Sequence, residues 1–124
     1  MRKTVGLFLA AGALLSFAYA AEWSGAWKPL KASYTIYSGA LAEREAPTAK
    51  ERMMTIAIDG APAKEVFDSI APDSHPTCSQ EKGERERRKK GVTCIYRSEG
   101  TSKRYRCWIG LNLRTGDSTP TVSC

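Results

Sequence analysis

Four cysteines, Cys78, Cys94, Cys107 and Cys124, all fall in the second half of this 124-residue chain, and they restrict its fold more than any other feature. In a small exported domain an even count reads as two disulfides, each closing a loop and shrinking the unfolded ensemble. In a reducing compartment the same residues would suggest zinc. There is no C-x-x-C pair, however, and His75 is the sole histidine, so neither a metal nor another cofactor is expected. The compartment therefore decides how the cysteines are read.

Residues 1–20, MRKTVGLFLAAGALLSFAYA, have the layout of a signal peptide. Arg2 and Lys3 form a cationic start, an apolar stretch runs from Val5 to Phe17, and Ala18 and Ala20 supply the small side chains a signal peptidase needs. The apolar run falls short of the roughly 20 residues that span a bilayer. No cysteine stands near the cleavage point for a lipid anchor. The expected mature protein is a single disulfide-stapled domain, residues 21–124, soluble in the periplasm or secreted, with no membrane span. Losing Arg2 and Lys3 lowers the formal charge from +6 to +4. That moderate value favours solubility and weak attraction to polyanions, and does not by itself point to nucleic acid.

Periodicity divides the mature chain. The opening AEWSGAWKPLKA has no clear period, and Trp23 and Trp27 are expected in a loop or edge that covers the core. ASYTIYSGALAE alternates around Tyr34, Ile36 and Ser38 and is rich in β-branched and aromatic residues, so it predicts a strand. EREAPTAKE reads as a polar connection. RMMTIAIDG is a second strand, with Met54, Ile56 and Ile58 on one face and Met53, Thr55 and Ala57 on the other. The period then changes: Ala63, Val66, Phe67 and Ile70 recur at helical spacing, Pro62 suits the first turn and Pro72 ends the run. PDSHPTCSQEKGERERRKK reads as a long irregular connection. If its basic end is extended, Arg85 and Arg87 share one side and Glu84 and Glu86 the other.

GVTCIYRSEGTSKRYRCWIGLNL contains two alternating runs around a turn at Gly100. With Cys94 opposite Cys107, Tyr96 faces Tyr105 on a core side that Ile109 and Leu111 extend. A turn at Gly116-Asp117 then predicts a third strand, with Val122 against Ile109 and Cys124 against Cys107. Three disulfide connectivities are open. The preferred one is Cys78–Cys94 with Cys107–Cys124, because it ties down the long connection and the C-terminus. The alternative, Cys94–Cys107 with Cys78–Cys124, staples a hairpin that its short turn already holds. The expected fold class is α+β, a small antiparallel sheet with one short helix packed on it and two disulfides.

Asp73, Ser74 and His75 are residue types used in nucleophilic catalysis, but consecutive positions between two prolines point apart and read as a turn. A small hydrolase would need paired carboxylates such as Glu43 with Glu45 or Asp68 with Asp73, and no motif surrounds either pair. The expectation is therefore a non-catalytic protein. Its candidate binding residues are Arg97, Arg104, Arg106 and Trp108, on the side of the hairpin away from the tyrosines. Arginine offers planar paired donors to phosphate, sulfate or carboxylate, and tryptophan offers a stacking surface. The partner would be another exported protein, as for an inhibitor, or an anionic envelope polymer. An inhibitor of a strongly cationic hydrolase such as lysozyme would instead be expected to present an acidic surface. Two other readings stand beside this one. The row of arginines can be solvated edge protection, or the domain can be a structural component of an envelope assembly anchored by Trp23, Trp27 or Trp108.

Overall fold

The computed structural model describes residues 23–79 and 81–121. The expected leader, its cleavage at Ala21, and Val122 and Cys124 lie outside the described residues. Strands β1 (Ala32–Gly39), β2 (Arg44–Glu45) and β3 (Met53–Asp59) precede helix α1 (Ala61–Ser69). Strands β4 (Arg85–Lys89), β5 (Val92–Glu99) and β6 (Ser102–Asn112) follow it. All pair antiparallel in one six-stranded sheet of order β2-β1-β3-β6-β5-β4, so the architecture is α+β. Among the described residues no helix is long and apolar enough to cross a membrane.

The helix is where the period change places it. Gly60, at a φ of +73°, turns the chain out of β3, and Pro62 occupies the first turn of α1. The positive φ suits glycine because residues with a side chain rarely adopt that backbone conformation. Ala63 and Phe67 are fully buried against Ile58, Cys94 and Cys107, with Val66 and Ile70 packed around them. Phe67 meets Tyr105 edge-on at 5.4 Å between ring centres and Tyr96 at 6.4 Å, and the two tyrosines face each other at 5.0 Å. The core side expected from the hairpin is the helix side.

Four expectations are corrected. The first is the disulfide pairing: Cys94 bonds Cys107, not Cys78, and so Cys107 does not bond Cys124. The two residues sit opposite each other in the β5–β6 register with Cα atoms 4.1 Å apart, the close spacing of a non-hydrogen-bonded pair. Proximity on one face outweighs the entropy argument for tying distant segments. This is the one bridge observed between described cysteines; Cys78 is also disulfide-bonded, and none of the described cysteines is free.

The second correction concerns the expected three-strand meander. The neighbour of β6 opposite β5 is β3, with Ile56 against Ile109 and Ile58 against Cys107. The C-terminal segment instead bridges Ser118 to Leu111, then crosses the outer sheet face, where Thr121 donates to Thr93 at 2.9 Å. It passes so close that a Cβ on Gly110 would lie 2.4 Å from the Thr119 carbonyl oxygen.

Third, the end of the long connection is β4, and the connection before it is partly ordered along that strand. Ser74 N–H donates to the Glu86 carbonyl at 2.7 Å, and Arg88 N–H donates to Ser74 Oγ at 3.0 Å. Fourth, Trp23 and Trp27 cover nothing: they are 92% and 100% exposed in an arm without regular secondary structure that leads into β1. A smaller outer-face core forms without them. Tyr37 and Thr55 share a buried hydrogen bond at 2.9 Å, beside buried Met53, Thr93 and Thr121.

Candidate functional site

The helix occupies one sheet face, so exposed chemistry collects on the other. Alternation along β5 and β6 places Ile95, Arg97, Arg104, Arg106 and Trp108 together there, in the register Ile95 with Arg106 and Arg97 with Arg104. From β3, Asp59 joins them opposite Arg106. These residues, with Tyr105 at the rim, line a hollow of about 270 Å³. Two further hollows, of about 280 and 270 Å³, adjoin it through Trp108 and bring in Leu41 and Arg44 from the β1–β2 corner. Thr121 of the C-terminal segment closes one side. Trp108 is thus the shared floor of a shallow trough across the sheet.

The four residues selected from sequence share a face but not a role. Arg106 lies over Trp108, its guanidinium carbon 5.5 Å from the ring centre, and its Nε is 3.5 Å from Asp59 Oδ1 in an exposed ion pair. Such a pair contributes little and exchanges readily for another anion. Arg104 makes no ion pair among the described residues. Arg97 is different: its Nε donates to Glu84 Oε2 at 2.7 Å, and the Glu84 side chain is 2% exposed. A buried carboxylate requires its counter-ion, so Arg97 belongs to the framework more than to the open surface. Asp59, Leu41 and Arg44 escaped the sequence reading because only the long-range β3–β6 pairing and the β1–β2 turn bring them to this face.

The residues weighed for catalysis are engaged elsewhere. Asp73 accepts from Arg85 at 2.8 and 3.0 Å and from Arg87 at 2.8 Å. Those bonds, Arg85 first, hold its carboxyl at about 2, well below the usual value. Ser74 Oγ accepts from Arg88, while His75 is exposed beside them. Asp68 pairs with Lys64 one helical turn away. Glu43 and Glu45 are exposed at the β1–β2 corner. Among the described residues no group of three or more His, Cys, Asp or Glu side chains is arranged to hold a metal ion.

A larger hollow, about 540 Å³, opens next to the trough at the start of α1, between Lys64, Lys103 and Arg104. Arg104 lies on the wall between the two. No protein-family model, curated protein or solved structure matches the chain.

Proposed function

We propose that the protein is an exported, non-catalytic binding module that holds an anionic partner in the trough on its outer sheet face. The observation that carries this reading is the pairing of Arg106, stacked on Trp108, with an Arg104 that has no ion pair of its own. A flat cation on an aromatic ring presents its donor edge outward, in the geometry that meets a carboxylate, sulfate or phosphate with two hydrogen bonds. The apolar walls, Ile95 and Leu41, leave room for an uncharged part of the same partner. Another exported protein or an anionic envelope polymer would fit this chemistry, and a disulfide in the core suits the oxidising compartment that the leader predicts.

Retention on immobilised heparin, at rising salt, tests the reading. Arg104→Gln with Arg106→Gln should elute earlier than wild type, with an unchanged unfolding midpoint. Lys89→Gln with Lys90→Gln removes the same charge from the exposed β4–β5 turn and should elute close to wild type. Equal losses in the two double mutants would reduce the effect to net charge and reject the trough as the site. A second reading, a component of an envelope assembly, is favoured by the exposure of Trp23 and Trp27.

A further inference from the structure

The two edges of the sheet are treated in opposite ways. At β4 the segment around Ser74 hydrogen-bonds along the strand, and the strand itself is Arg-Glu-Arg-Arg-Lys. Charge and cover of this kind keep foreign strands away. At the other end β2 pairs only with Ser38 and Gly39, so residues 32–37 of β1 have β3 on one side and, among the described residues, no strand on the other. That open stretch is Ala-Ser-Tyr-Thr-Ile-Tyr, without charge, proline or bulge. Among the described residues, four of the five large exposed apolar ones, Trp23, Trp27, Leu30 and Tyr34, lie on it or on the arm leading into it. An unguarded edge with high strand propensity beside exposed aromatics is a pairing surface.

We infer that this edge joins two copies of the chain, antiparallel, about a two-fold axis at Tyr34, so that the sheet continues from one copy into the other. Charge selects a second copy as the occupant. A two-fold axis at Tyr34 sets that residue against its own equivalent and its immediate neighbours close to theirs, so a charge there would repel itself, and β1 carries none in a chain that is 26% charged. Beyond the window the prevailing signs are opposite on the two sides, with Arg44 standing between the two glutamates of the acidic side. Lys28 and Lys31 precede β1, and Glu43 and Glu45 follow it at the β1–β2 corner. Antiparallel pairing about Tyr34 brings Lys31 of each copy level with Tyr37 of the other, next to the Ser38–Glu45 pair. Lys28 then runs on toward Glu43. The present Lys28–Glu65 contact is 3.2 Å long and exposed at both ends, so it does not compete strongly. Tyr34, 71% exposed in one copy, is covered by its mate.

Sedimentation equilibrium of the purified, oxidised protein, from about 1 µM to about 1 mM, spans the affinities of such an interface. A concentration-dependent dimer is expected. Tyr34→Lys sets two like charges on the axis and should yield monomer at concentrations where wild type is dimeric, with an unchanged denaturation midpoint. Lys31→Glu and Glu45→Lys should each weaken the dimer, and their combination should restore it. Wild type that stays monomeric throughout overturns the inference and leaves the edge to a strand from another protein. A dimer indifferent to Tyr34→Lys forms through another surface and overturns it too. Single charge reversals that weaken the dimer without mutual rescue reject the antiparallel register.

Discussion

Arg87 lies over the ring of Phe67, its guanidinium carbon 4.2 Å from the ring centre, and donates to the carbonyl oxygen of that same residue at 2.7 Å. One cationic side chain therefore covers the central aromatic of the core and satisfies a carbonyl at the end of α1. Arg85 approaches the same ring at 5.2 Å. This is how a strand of charged residues comes to pack against an apolar helix: the arginine planes replace the aliphatic side chains usual at such positions.

Phe67→Ala should cost about 3–5 kcal/mol, a large-to-small change at a site that is 1% exposed. Arg87→Lys keeps the charge but loses the planar stack and the fork of donors, and about 1–2 kcal/mol is expected. Urea denaturation of both variants checks the pair. A silent Arg87→Lys would mean that charge alone matters there.

Asp73 supplies a pH signature. Its folded carboxyl is depressed to about 2 from the ordinary 3.8, first by the hydrogen bonds from Arg85 and then by those from Arg87. Unfolding releases a carboxylate that binds a proton more readily. The stabilisation is therefore fully present above pH 4 and is lost as pH falls through 2. With solvent screening it is on the order of 1 kcal/mol. Stability measured between pH 2 and 6 should fall more steeply for wild type than for Asp73→Asn.

The two arginines at the hairpin mouth should separate. Arg97→Gln leaves the buried Glu84 carboxylate without its cation, and a loss of about 1–3 kcal/mol is expected. Arg104→Gln, facing solvent with no ion pair among the described residues, should stay within about 0.5 kcal/mol of wild type. Thermal unfolding of the two variants side by side distinguishes a framework residue from a surface one.

Gly110→Ala should destabilise by about 1–3 kcal/mol through crowding, because the new methyl meets Thr119 and Thr121 at 2.4 and 2.7 Å. Amide exchange should then quicken around residues 118–121 before it quickens in α1. Uniform acceleration would show that the segment does not move alone.

Peptide mapping of the non-reduced protein should recover Cys94 linked to Cys107. Replacing both by serine should cost about 2–4 kcal/mol, through a loop of ordinary length and two polar groups placed in a dry core.

Local pattern carried the sequence reading wherever neighbours in the fold are neighbours in the chain. The faces of β3, the helical stripe through Ala63 and Phe67, and the Tyr96–Tyr105 register were legible because alternation and helical period state them directly. β4 was not, since its helix-facing positions are Arg85 and Arg87, its most buried residue is Glu86, and no apolar period marks it. Nor was the β3–β6 pairing, because β1, β5 and β6 all alternate acceptably and nothing in Met53–Asp59 specifies its partner. The disulfide was misread for a related reason. Loop entropy over all four cysteines favours tying distant segments, whereas the hairpin register alone sets Cys94 and Cys107 within bonding distance. At the trough, the basic and aromatic row was visible in sequence, but the division between a committed Arg97 and an open Arg104 depends on the burial of Glu84.

The middle of the sheet also orders events in time. Its central seam pairs Met53 with Asn112 and Asp59 with Arg106, the end of β6 closing on a strand made half a chain earlier. A polypeptide emerges amino end first, from a ribosome or through a translocation channel. The β1–β3 ribbon and the helix are therefore outside well before the strand that will shelter Ile56 and Ile58 arrives. During that interval the ribbon has apolar side chains on show and two unsealed borders. A holding chaperone would be engaged before β6 has emerged, and a ribosome stalled near Gly100 should expose a nascent chain that binds such a chaperone and is cut readily by protease.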